Sequence, residues 1–151
     1  MRPVLRFDRH KHALVEEEDG QFLVRADLCD TFHEMAVFLR VDGASRVILE
    51  ARAQMLRVPY RPCLAVESAL ACLVGEAVAP GVGKKVKAGV GGPGGCLHLS
   101  DLTMDALRSF LLAVRSAQGV LEMTPAERYR ANYEELKGTC RTFSREPEGE
   151  L

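Results

Sequence analysis

The chain lacks the features that would place it in several large classes of protein. It has no excess of basic charge: 20 Lys and Arg stand against 21 Asp and Glu, so it carries no net field of the kind that drives sequence-independent nucleic-acid binding. Nucleic acid is not an expected partner. No run approaches the roughly 20 apolar residues of a membrane span, and the stretch from Met1 to His10 has charges where a secretory signal needs its apolar segment. The expected location is the cytoplasm, with no membrane association. No C-x-x-C occurs, and the five cysteines, at 29, 63, 72, 96 and 140, are an odd and widely spaced set in a chain too large to need disulfide staples. Reduced thiols are expected. A Gly-Lys-Ser/Thr phosphate loop and internal repeats are absent as well.

What is present suits one folded domain. The 151 residues are 47% hydrophobic and 27% charged, far from the composition of a disordered chain and long enough to bury a sizeable core. Residues 1–143 are expected to form a single globular domain. Residues 144–151, with three glutamates and almost nothing apolar, are expected to be a disordered acidic tail.

The first third reads as strands. Ala13 to Val15 and Phe22 to Leu28 flank Glu18-Asp-Gly20, a hairpin turn signal because glycine tolerates positive φ. Met35, Val37, Leu39 and Val41 alternate with their neighbours, and after Asp42-Gly-Ala-Ser45 comes the β-branched, apolar run from Val47 to Ala53. A four-stranded antiparallel meander follows. Pro59-Tyr-Arg-Pro62 then ends strand pairing, and Pro62 opens a predicted helix from Cys63 to Val74, closed by Gly75, with Cys72 in its core face. The stretch from Ala79 to Gly95 holds seven glycines and two prolines and reads as a loop with room for one short strand at Lys84 to Lys87. Leu99 to Val114 forms a second amphipathic helix, with Ser100 a candidate cap and Gly119 the stop. Thr124-Pro-Ala-Glu127 is a capping box that opens a third helix, running to Gly138. The predicted fold class is therefore α/β, specifically α+β: two layers, a mainly antiparallel four-stranded sheet followed by about three helices.

Candidate chemistry gathers around Cys63 and Cys96, each at the point where a loop feeds a helix. A thiol there has its thiolate stabilised by free N–H groups and the helix dipole, and Arg57 and Arg61 near Cys63 push the same way. His98 stands two residues from Cys96. Asp30 and His33, three apart at the end of the second strand, share a face if that turn is helical. The bland alternatives are buried cysteine as a small hydrophobe, Asp30 as a cap and His33 as a hydrogen-bonded surface residue. Cys29 is set to point away from Asp30. Gly89-Val-Gly91-Gly-Pro-Gly94 formally matches G-x-G-x-x-G, but the buried strand and the later acidic strand residue of a dinucleotide site are missing. These glycines are better read as a backbone that passes close to something and delivers Cys96 to a helix start.

Leu28-Cys-Asp-Thr-Phe-His33, Arg57-Val-Pro-Tyr-Arg-Pro-Cys63, Gly75, Gly91-Gly-Pro-Gly-Gly-Cys96-Leu-His98-Leu and Gly138-Thr-Cys140 together resemble the bacterial family known as domain of unknown function 2889 (DUF2889), with Leu97 in a place associated with Thr. The resemblance covers most of the chain and implies a fold more than an activity. The order Cys29-Asp30, Val41-Asp42-Gly43, Cys63, Gly75 and Cys96/His98 is also similar, more distantly, to U-type iron-sulfur scaffold proteins. It departs from them in lacking a glycine between Cys29 and Asp30 and in replacing an adjacent His-Cys pair by Cys-x-His.

Three functions stay open on the sequence. The first is a small metal-binding or iron-sulfur-handling protein with Cys63, Cys96 and His98 as ligands, Asp30 or His33 completing four-coordination, and zinc or an iron-sulfur cluster as cofactor. The second is a cysteine-dependent enzyme or sulfur carrier with Cys63 or Cys96 as nucleophile, His98 as base and Asp30 orienting an imidazole. The third is a non-catalytic domain that binds a protein partner.

Overall fold

The computed structural model describes residues 6–117, 119 and 122–144; the expected acidic tail from residue 145 onward lies outside them. Two compact units divide the chain, residues 1–112 and 113–151. The first carries the sheet. Its strands are β1 (Arg9–Glu18), β2 (Gln21–Asp30), β3 (Glu34–Asp42) and β4 (Ile48–Arg57), joined in the order β1-β2-β3-β4 with every neighbouring pair antiparallel.

The local chemistry explains the meander. Glu18 pairs with Gln21 across a two-residue turn, and both turn residues adopt positive φ, Asp19 at 51° and Gly20 at 77°, the hairpin geometry that matches strand twist. In the β3–β4 turn the Asp42 carboxylate accepts the Ser45 N–H at 2.7 Å, closing a side-chain-mediated turn. Strict alternation makes one face of the sheet apolar: Phe22, Val24, Ala26 and Leu28 of β2 and Met35, Val37, Leu39 and Val41 of β3 are all buried. Between them, Leu23, Arg25 and Cys29 are exposed. Cys29 thus faces away from Asp30, as its place in the alternation requires.

Helices cover the apolar face. Residues Arg61–Leu73 form a 3₁₀ helix rather than the expected α-helix. Three residues per turn put Cys63, Val66 and Ala69 on the partly buried side before Leu70 and Leu73 enter the core. At Leu70 the buried side shifts by one residue, so Cys72, three residues after Ala69, is exposed, against the expectation of a core position, and its sulfur lies where a Cβ on Gly89 would stand 2.5 Å away. The glycine-rich segment is also more ordered than a loop: Val82–Gly89 is a helix, α1, with Val86 its buried residue.

α2 spans Leu97–Ala117, so it starts two residues before the apolar pattern does. Ser100 is consequently inside the first turn, with its N–H on the Cys96 carbonyl at 2.9 Å, and is not a cap. Leu99, Leu102, Ala106, Leu107 and Phe110 bury a 3.6-period stripe, and the Phe110 ring meets Phe22 edge-on at 5.4 Å. Each such large side chain contributes about 1.5–3 kcal/mol by leaving water. Lys11 of β1 holds the carboxylates of Asp101 and Asp105, one turn apart on α2.

In the second unit, α3 (Pro125–Leu136) begins at the expected capping box, with Thr124 and Glu127 satisfying each other's backbone N–H groups. It ends two residues before Gly138. Tyr129 stacks on Phe143 with ring centroids 5.0 Å apart.

Candidate functional site: a thiol and imidazole cavity

Four of the five candidate ligand residues line one cavity of about 390 Å³, together with Phe32, Met55, Pro59 and Tyr60. They are Cys63, Cys96, His98 and His33. Each arrives for its own local reason. The β2–β3 turn supplies Phe32 and His33, the opening of the 3₁₀ helix supplies Cys63, and the start of α2 supplies Cys96 and His98. The Cys63 N–H closes on the Tyr60 carbonyl at 3.0 Å, and the Cys96 N–H on the Val90 carbonyl at 2.8 Å. Gly95, the residue before Cys96, has no room for a side chain, since a Cβ there would lie 2.1 Å from the Val90 oxygen. This is the close backbone approach that the glycine run implied.

Asp30, the fifth candidate, sits behind the cavity. Its side chain is fully buried and fully engaged. Oδ1 accepts the backbone N–H groups of Phe32 at 2.8 Å and His33 at 2.7 Å, Oδ2 accepts Arg9 Nε at 2.9 Å and Nη2 at 2.6 Å, and the His33 ring places Nδ1 3.1 Å from Oδ1. Burial works against the charged form. The two N–H groups, then Arg9 and His33, outweigh it and hold the carboxyl well below the usual carboxylate range. Asp30 is therefore placed to orient His33, with no lone pair turned to the cavity.

A proton on His33 Nδ1, directed at Asp30, leaves Nε2 as the basic nitrogen of the neutral ring. The His98 ring lies against it, centroids 4.1 Å apart and planes inclined by 38°. Burial, then the proximity of His33 and Arg9, pushes the His98 pKa below its ordinary value, which favours the neutral ring. Arg57 works behind the site: Nη2 donates to the Asp30 carbonyl at 2.8 Å and approaches Cys29 Sγ at 3.4 Å. It clamps the turn and does not line the cavity.

The sequence reading missed Arg9, whose link to Asp30 follows from their pairing across β1 and β2, and the apolar wall of Phe32, Met55, Pro59 and Tyr60. The Phe32-His33 and Pro59-Tyr60 neighbours of the candidate residues were the available signal for that wall. Among the described residues, no three His, Cys, Asp or Glu side chains stand together so as to hold a metal ion. The donor types suit zinc or an iron-sulfur centre, but their placement does not form a ligand set.

An α+β domain with a cavity shared by two thiols and two imidazoles is the class that fold and site define. The chain belongs to the family described as Protein of unknown function (DUF2889), which it matches over residues 8–110, a span that contains every residue of the cavity. No curated protein and no solved structure matches the chain. Among the described residues, no helix is long and apolar enough to cross a membrane.

Proposed function

We propose that the cavity is a thiol-chemistry site, in which Cys63 or Cys96 is the nucleophile or carrier and a neutral imidazole accepts its proton. The carrying observation is that two partly buried cysteines and two histidines from three separate segments share one cavity, while Cys29, Cys72 and Cys140 are exposed elsewhere. In the covalent step the sulfur forms a bond to an electrophilic carbon, the displaced group leaves with its electron pair, and the thiol proton passes to the imidazole. The lowered pKa of His98 favours the neutral ring that this step needs. Asp30 acts through His33 as a positioning residue. The apolar wall favours a substrate with an apolar or aromatic portion.

Alkylation of metal-free protein by iodoacetamide, followed residue by residue by mass spectrometry, tests this reading. Cys63 or Cys96 should react faster than the three more exposed cysteines, and His98→Gln should slow that reaction by roughly tenfold or more. Equal reactivity ordered by exposure alone would refute it.

A second reading keeps the same residues as a metal centre, and one observation favours it. A histidine whose Nδ1 is held by a carboxylate is the usual arrangement of a metal-ligating imidazole. It requires the side chains to swing together around the ion. Metal at stoichiometry after anaerobic purification, lost in Cys63→Ser and Cys96→Ser but kept in Cys72→Ser, would move the assignment to it.

A further inference from the structure

A second cavity, of about 540 Å³, is lined by Gly83, Lys84 and Lys87 of α1, Gly91 and Gly92 of the loop, and Leu97, Ser100, Asp101, Met104 and Arg108 of α2. It belongs to the same unit but shares no residue with the thiol cavity. Two independent features mark it. The first is charge. Lys84 and Lys87 have no ion-pair partner among the described residues, and Arg108 has a long contact of 3.6 Å with Asp105 and a weaker attraction to Asp101. The one acid in the lining, Asp101, is already engaged by Lys11, which holds its carboxyl below the ordinary range ahead of any opposing effect of burial.

The second feature is Ser100. The residue is 6% exposed, its backbone N–H is satisfied, and its hydroxyl makes no hydrogen bond to any described residue and keeps contact with the solvent of the cavity. The hydrogen bonds of that hydroxyl are therefore free to be taken by a ligand that displaces water. The Gly91 backbone lies directly against it, close enough that a Cβ there would stand 3.3 Å from Ser100 Oγ. Glycine keeps that approach open.

We infer that this cavity binds a phosphate-bearing small molecule, whose oxygens accept the Ser100 hydroxyl and the ammonium and guanidinium groups of Lys84, Lys87 and Arg108. Phosphate oxygens are strong acceptors and match a rim of cations around a single recessed donor. Leu97, 78% exposed, and Met104 give an apolar shelf for the rest of the ligand. The inference is independent of the thiol reading, since it uses neither cysteine nor histidine.

Calorimetric titration of the whole chain with inorganic pyrophosphate in low-salt buffer tests it. Saturable one-site binding is expected, weakened roughly tenfold in Ser100→Ala, the loss typical of one hydrogen bond to a charged group, and further in the double variant Lys84→Gln/Lys87→Gln. Ser100→Ala removes a group with no internal partner, so its melting temperature should be unchanged and weaker binding cannot be attributed to unfolding. Absence of saturable binding would overturn the inference. So would undiminished binding by Ser100→Ala, even if the lysine variant binds less, because that pattern is surface attraction.

Discussion

The two cavities that share the start of α2 use their buried polar groups in opposite ways. Asp30, behind the thiol cavity, is 5% exposed and saturated by Arg9, two backbone N–H groups and His33. Ser100, in the cationic cavity, is 6% exposed, and its hydroxyl has no hydrogen-bond partner among the described residues and is left to solvent. Burial is the same, and commitment is not. A saturated group has no free valence for a ligand and instead fixes the orientation of its neighbours, whereas a recessed hydroxyl left to solvent keeps its hydrogen bonds free for a ligand. Positioning and binding can thus be told apart by hydrogen-bond accounting.

The comparison is open to mutation. Gly95→Ala should have the largest effect, destabilising by about 3 kcal/mol in urea denaturation, because its methyl would overlap the Val90 and Gly91 carbonyls. Since that loop serves both cavities, Cys96 reactivity and pyrophosphate binding should fall together. If only one falls, the cavities do not share their support.

Asp30→Asn comes next, at about 2 kcal/mol, because Arg9 and His33 lose a charged acceptor that is wholly buried. It should also slow alkylation in the thiol cavity and leave pyrophosphate binding alone. The pH dependence carries the same signature. Asp30 has a folded pKa below its unfolded value near 3.9, so its contribution is complete above that value and is lost as pH falls toward the folded one. His98 is likewise depressed below 6.5, so the unfolded chain takes up its proton first and stability falls as pH drops below that range. Urea midpoints measured from pH 8 to pH 3 should therefore decline in two steps. The upper should vanish in His98→Gln and the lower should shrink in Asp30→Asn, with a remainder from Asp42, Asp101 and Glu127, whose carboxyls are also held below their ordinary range.

Ser100→Ala should have the smallest effect on stability, within about 0.5 kcal/mol or slightly stabilising. A loss as large as that of Asp30→Asn would erase the contrast between the two groups.

The sheet was legible because its signals are local. Phe22, Val24, Ala26 and Leu28 alternate without interruption, and Asp19-Gly20 supplies the two positive φ values of the turn. The convergence of Cys63, Cys96, His33 and His98 was anticipated from chemistry at helix starts and strand ends, with no geometric signal to prove it. Other features were hidden for definable reasons. Val66, Ala69, Leu70 and Leu73 fit a period of three nearly as well as one of 3.6, so the apolar pattern could not distinguish 3₁₀ from α winding. α1 buries chiefly Val86, in a stretch whose glycines and lysines mask any periodicity. Arg9 became visible only through the register that sets it opposite Asp30.

The winding of residues Arg61–Leu73 has a consequence for Cys63. A 3₁₀ helix turns about 120° per residue and an α-helix about 100°, so over the ten steps from Leu73 back to Cys63 the two differ by about 200°. With Leu73 anchored in the core, rewinding to α would swing the Cys63 sulfur to the far side of the helix and shorten the segment by about 5 Å. The thiol's address is therefore set by the winding of this helix.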